Sequence, residues 1–116
     1  MASYHDTSKT TQEIFYQGLM LGILSGLKDT HEIRSNRESG KGRYDLLIMP
    51  KDPSKLGIVM EFKAINDPAK LEEAAQTALM QIKKSKYTTE LQSRNITNIC
   101  AIGIGFSGKA IKVATN

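Results

Sequence analysis

At 116 residues the chain is long enough to build one hydrophobic core and too short for two, so residues 1–116 are expected to form a single domain. A composition of 40% hydrophobic and 24% charged residues, with no Pro- or Gly-rich tract, excludes a disordered or fibrous protein. The formal charge of +4 and a pI of about 9.2 would concentrate a polyanion such as nucleic acid around the protein.

Met1 to Thr11 is polar and lacks the apolar stretch of a signal peptide. Thr11 to Leu27 reads as a first helix: Thr10 or Thr11 can cap it, Glu13 suits its positive N-terminal end, and Ile14, Leu21 and Leu24 recur at helical spacing. Gly18, Gly22 and Gly26 fall four apart, so they line one side, where they are expected to let the helix backbone approach a neighbouring sheet. The longest apolar run, Leu19 to Leu27, is broken by Gly22, Ser25 and Gly26 and is far shorter than the roughly 20 residues that cross a bilayer, so no membrane span is expected.

His31 to Ser35 reads as a short strand and Asn36 to Gly42 as an exposed turn. Arg43 to Met49 is the second strand, ended by Pro50 and the Lys-Asp-Pro-Ser-Lys turn, and Gly57 to Ile65 the third. Together they form an antiparallel meander. Ala69 to Lys84 is the clearest helix, opened by Asp67-Pro68, with Leu71, Ala74, Ala75, Ala78, Leu79 and Ile82 as its buried stripe. Asn98 to Phe106 is an almost wholly apolar strand, as expected in a sheet covered on both faces. The lone cysteine, Cys100, lies in it as a small hydrophobe, which excludes an internal disulfide and fits a reducing cytoplasm. Ile111 to Val113 reads as a last edge strand after the Ser107-Gly108 turn. The order is α-β-β-β-α-β-β, an α/β sandwich with a mixed central sheet flanked by helices.

Charge interrupts this pattern in Ile58-Val59-Met60-Glu61-Phe62-Lys63. Strand alternation puts Glu61 and Lys63 on one face, and burying an unpaired charge costs several kcal/mol, so both need a partner or a metal ion. Asp45 stands on the preceding strand, and hairpin pairing across the Pro50 to Leu56 turn brings it beside Glu61. Two carboxylates held together repel, which makes them a site for a divalent cation that prefers oxygen, Mg²⁺ or Mn²⁺, with Lys63 pointing at the same spot.

The arrangement resembles the PD-(D/E)XK nuclease superfamily, whose restriction-endonuclease-like fold has a helix, a three-strand meander, a second helix and a further strand. Asp45 stands for the motif's first Asp, and Glu61-Phe62-Lys63 for its E-x-K; the usual Pro before the Asp is absent, since Arg43-Tyr44 precede it. Phe15 to Gly18, Ser35 to Asp45 and Gly57 to Lys63 look like the bacterial domain of this superfamily often found C-terminal to AAA-ATPase-like proteins. The resemblance runs from Glu13 to Val113. It implies metal-assisted hydrolysis of DNA phosphodiester bonds: Asp45 and Glu61 hold Mg²⁺ or Mn²⁺, and Lys63 orients the attacking water and offsets developing charge. Glu13 matches a helix glutamate that contacts the metal in many relatives. Gln81 matches the glutamine of some exonuclease branches, whose tyrosine partner would fall at Ser85 here, with Tyr87 two residues later. Arg43, Arg37 and Lys41 are implied to grip the DNA backbone, with Lys83, Lys84 and Lys86 extending the positive surface. The resemblance to Holliday-junction resolvases of similar fold implies a homodimer, since cutting two strands takes two sites.

Other patterns carry less. His5 and His31 lack the spacing of a zinc pair. Gly103-Ile104-Gly105-Phe106-Ser107-Gly108-Lys109-Ala110 fits G-x-G-x-x-G and the start of a phosphate-binding P-loop, yet no helix is expected after it, and a hairpin turn accounts for it better. The alternative to an enzyme is a catalytically weak or inactive nucleic-acid-binding or regulatory module working with an AAA-type ATPase. Intact Asp45, Glu61 and Lys63 favour the enzyme, because a binder has no need of a carboxylate cluster.

Overall fold

A computed structural model describes residues 18–35, 45–84, 87–108 and 110–116. Helical residues 18–27 (α1) lead into β1 (His31–Ser35), β2 (Leu46–Pro50) and β3 (Gly57–Ala64). A 3₁₀ turn, Pro68–Lys70, opens α2 (Leu71–Lys83); α3 (Tyr87–Gln92), β4 (Ile99–Ser107) and β5 (Ala110–Thr115) follow. The five strands form one sheet in the order β1-β2-β3-β4-β5, antiparallel except for the parallel β3–β4 pair. A parallel neighbour requires a crossover, and α2 supplies it.

The register fixes what faces α2. Glu61 lies opposite Gly103 and Lys63 opposite Gly105, while Val59 pairs with Ala101 on the same face two residues earlier. Leu47, Met49, Val59, Ala101 and Ala114 from the sheet pack with Ala75, Leu79 and Ile82 of α2. All six residues expected in the buried stripe of α2 are buried. Asp67 opens the segment by accepting the Ala69 N–H on its side chain at 3.0 Å, and Pro68 follows where a helix N–H would have no partner anyway.

Gly103 and Gly105 set how closely α2 lies on the sheet. A Cβ at Gly103 would stand 2.4 Å from the Ala75 carbonyl oxygen and 2.5 Å from the Leu79 nitrogen, and one at Gly105 2.8 Å from the Leu71 carbonyl oxygen. The helix backbone therefore rests on β4 where no other residue would allow it. The expected turn after the strand holds, with Gly108 at a φ of +59° that suits the β4–β5 hairpin, and Gly103 and Gly105 lie within the strand as packing glycines. β5, not a helix, follows the turn.

The first helix departs from expectation. Leu21 and Leu24 are exposed, and its half-buried side is Leu19, Met20, Ile23 and Leu27; Ile14 lies outside the described residues. A Cβ at Gly18, Gly22 or Gly26 would meet nothing within 4 Å, so these glycines do not mediate a close approach to the sheet. The second strand is Leu46–Pro50, which leaves Asp45 just ahead of it; Arg43 and Tyr44, where it was expected to begin, lie outside the described residues. α3 was not expected. Its fully buried Leu91, with Ile96 after it, closes the end of the core, and Arg94 ties its following turn to β1 through a forked pair with Glu32 at 2.6 and 3.2 Å.

Two substitutions test these glycine assignments. Gly103→Ala is expected to destabilise the chain by roughly 1–3 kcal/mol through overpacking, whereas Gly22→Ala should stabilise it by about 0.5–1 kcal/mol because it only improves a helix; urea unfolding measures both.

Candidate active site

The site grows from the start of β2. Asp45 N donates to Met60 O at 2.9 Å, continuing the β2–β3 ladder. The next N–H along β3 that points this way, that of Phe62, is accepted by Asp45 Oδ2 at 2.8 Å. The carboxylate takes the place of a strand carbonyl, satisfies a backbone donor, and is pinned at the junction between Glu61 and Lys63.

Glu61 and Lys63 are half-buried on the α2 face, beside Gln81 in the last turn of that helix. With its amide oriented so that both ends are satisfied, Gln81 Nε2 donates to Glu61 Oε2 at 2.8 Å and its Oε1 accepts from Lys63 Nζ at 3.1 Å. The opposite orientation would turn the amide oxygen against the carboxylate. Gln81 thus fixes the spacing of an acid and a base that extended strand geometry already places on one face. Phe62 between them points to the opposite face.

Electrostatics single out Glu61. Burial and the neighbouring Asp45 carboxylate push its carboxyl up to about 7, and Lys63 only partly offsets them. At neutral pH the pocket is therefore short of positive charge. Two carboxylates in that condition fit a hard divalent cation, and among the described residues no third Asp, Glu, His or Cys completes a larger cluster. Such a set suits Mg²⁺ or Mn²⁺ better than zinc, because Mg²⁺ is commonly held by one or two carboxylates and keeps several waters.

The structure thus brings together Asp45, Glu61, Lys63 and Gln81. Glu13, Arg37, Lys41, Arg43 and Lys86 lie outside the described residues. Tyr87 packs against the hydrophobic core and not in the site. His31 Nδ1 is engaged by the neighbouring Thr30 hydroxyl at 2.6 Å. Lys83 and Lys84 are exposed at the end of α2. Lys70, Glu73 and Thr77, which border Lys63 along the outer face of α2, were missed from sequence because they read as the solvated side of an amphipathic helix; their one available signal was the i, i+3, i+7 spacing that also leads on to Gln81.

Residues 11–116 match the model of a family described as the PD-(D/E)XK nuclease superfamily. Comparison with curated proteins and with solved structures returned no match.

The raised Glu61 carboxyl gives a signed pH dependence. Between pH 4.5 and about 7 the metal-free folded chain keeps a proton that the unfolded chain has lost. Its stabilising contribution is complete below 4.5, wanes through that window and is gone above about 7. The melting temperature of wild type relative to Glu61→Gln should therefore fall as pH rises across it, and a difference that stays flat would contradict the assignment. Gln81→Ala should leave the fold intact, since Gln81 is not part of the core, yet shift this pH dependence.

Proposed function

The chain belongs to the PD-(D/E)XK nuclease superfamily, and from that premise we propose that it is a metal-dependent nuclease that hydrolyses DNA phosphodiester bonds through Asp45, Glu61, Lys63 and Gln81. The observation that carries the reading is the Gln81 amide bridging Glu61 and Lys63 next to the Asp45 carboxylate. A structural ion pair would need neither the second carboxylate nor a carboxyl raised toward neutrality.

Asp45 and Glu61 would hold Mg²⁺ or Mn²⁺, with Glu13 as a further ligand. When bound, the cation polarises the scissile phosphate and makes a bound water more acidic. Lys63 directs its ammonium at the same place, where it orients the attacking water and offsets negative charge that develops on the phosphorus oxygens. Gln81 keeps Lys63 and Glu61 at a fixed distance, so neither must reorganise when substrate arrives. Asp45, already tied to the Phe62 N–H, needs no rearrangement to act as a ligand. Arg43, Arg37 and Lys41 extend the reading to backbone contacts. Cleavage of both strands would take a homodimer, and an AAA-type ATPase region is the partner that the sequence resemblance suggests for a longer protein in the cytoplasm.

Labelled single-stranded, duplex and four-way-junction DNA should be cut in Mg²⁺ or Mn²⁺ and left intact in EDTA. Asp45→Ala and Lys63→Ala should each lower the rate by on the order of 10²-fold or more. If wild type cuts none of these while binding them as tightly as both variants do, the chain is a binding module instead.

A further inference from the structure

Next to the site, the exposed face of α2 carries a shallow groove. One part, about 190 Å³, runs from Lys63 past Lys70 and Thr77, and the other, about 380 Å³, continues past Met80 and Gln81 to Lys84. Both parts share Glu73 and Thr77, so they join end to end with the active-site residues Lys63 and Gln81 along one wall. Lys70, Thr77 and Lys84 are seven residues apart, close to two helical turns, and stand in one file. At about 1.5 Å per residue the file spans roughly 21 Å, long enough to follow several successive phosphates of one extended strand. Among the described residues, no ion pair or side-chain hydrogen bond engages Lys70, Gln76, Thr77 or Lys84.

We propose that this groove holds the sugar–phosphate backbone of a single nucleic-acid strand across the active site, with Lys70 on one side of the reacting phosphate and Lys84 on the other. Placing the reacting phosphate there rests on the nuclease reading; the binding itself does not. Three features favour one strand over a duplex. The lysines form a single file, whereas a duplex presents two rows of phosphates about 12 Å apart across the major groove. Glu73 interrupts the file and repels a phosphate at its own position, so the strand is gripped at the ends and not continuously. Met80 is 54% exposed on the groove wall, an apolar surface that an unstacked base can cover and a base inside a duplex cannot. Thr77 and Gln76 offer hydrogen bonds to sugar and phosphate oxygens between the two lysines.

The test is equilibrium binding of short single-stranded and duplex oligonucleotides, DNA and RNA, in EDTA over a salt series. It compares wild type, the double variant Lys70→Ala/Lys84→Ala, and Lys51→Ala/Lys55→Ala in the β2–β3 turn as a control. Loss of two phosphate contacts should reduce the single-strand slope of log K against log salt by about 1.4, weaken binding, and leave the circular dichroism spectrum unchanged; the control should match wild type. An unchanged slope in the double variant, or a loss confined to duplex, overturns the proposal. The two readings fail separately. Cutting that needs Asp45 and Lys63 but ignores Lys70 and Lys84 leaves the nuclease and removes the groove, while slope-sensitive binding without cutting leaves the groove and removes the nuclease.

Discussion

Everything in the site depends on how closely α2 lies on β4. Gly103 and Gly105 sit opposite Glu61 and Lys63 in the parallel ladder, and their missing side chains let the Ala75 and Leu79 backbone occupy space that any Cβ would fill. A helix held farther away by ordinary residues would leave Gln81 short of both charges. The acid and the base would then face a wider gap, open to water, and Glu61 would be neither half-buried nor raised toward neutral pH. Packing and electrostatics are thus one constraint: the glycines that bring the helix in also desolvate the carboxyl.

That desolvation works against the metal-free fold. A raised carboxyl marks a place where the folded chain tolerates charge poorly, and the nearby Asp45 adds to the burden although it is itself held by the Phe62 N–H. Natural sequences keep such local conflicts where function needs them, and the rest of the chain is consistent across levels. The apolar stripe of α2, the apolar run of β4 and the buried Leu47, Met49 and Val59 supply a core that can carry the cost.

Much of this was legible in the sequence. Glu61 and Lys63 stood out because charges two apart in an otherwise apolar strand share a face, and Asp45 because a hairpin must bring its neighbourhood beside them. The α2 stripe was legible for the same reason of periodicity, and Gln81 through resemblance to a known family. What stayed hidden depended on partners distant in sequence. α3 is six residues long and contains two threonines, too short and too polar for its pattern to show, though Leu91 is fully buried. The spacing of Gly18, Gly22 and Gly26 suggested contact, while the two glycines that do make it, Gly103 and Gly105, lay in an expected strand whose pattern says nothing of how closely a helix will approach it. In α1 the apolar residues outnumber those one face can bury, so periodicity alone could not tell Leu21 and Leu24 from Ile23 and Leu27.

The central claim is that Asp45 and Glu61 form one divalent-cation site. Calorimetric titration of Mn²⁺ into wild type and Asp45→Asn, at pH values on either side of 7 and in buffers of different ionisation heat, addresses it without reference to any substrate. The account predicts binding in wild type that strengthens with pH and releases a proton mainly below about 7, where Glu61 is still protonated, and loss of that binding in Asp45→Asn. Mn²⁺ binding of equal affinity in both proteins, with no proton released at any pH, would contradict it.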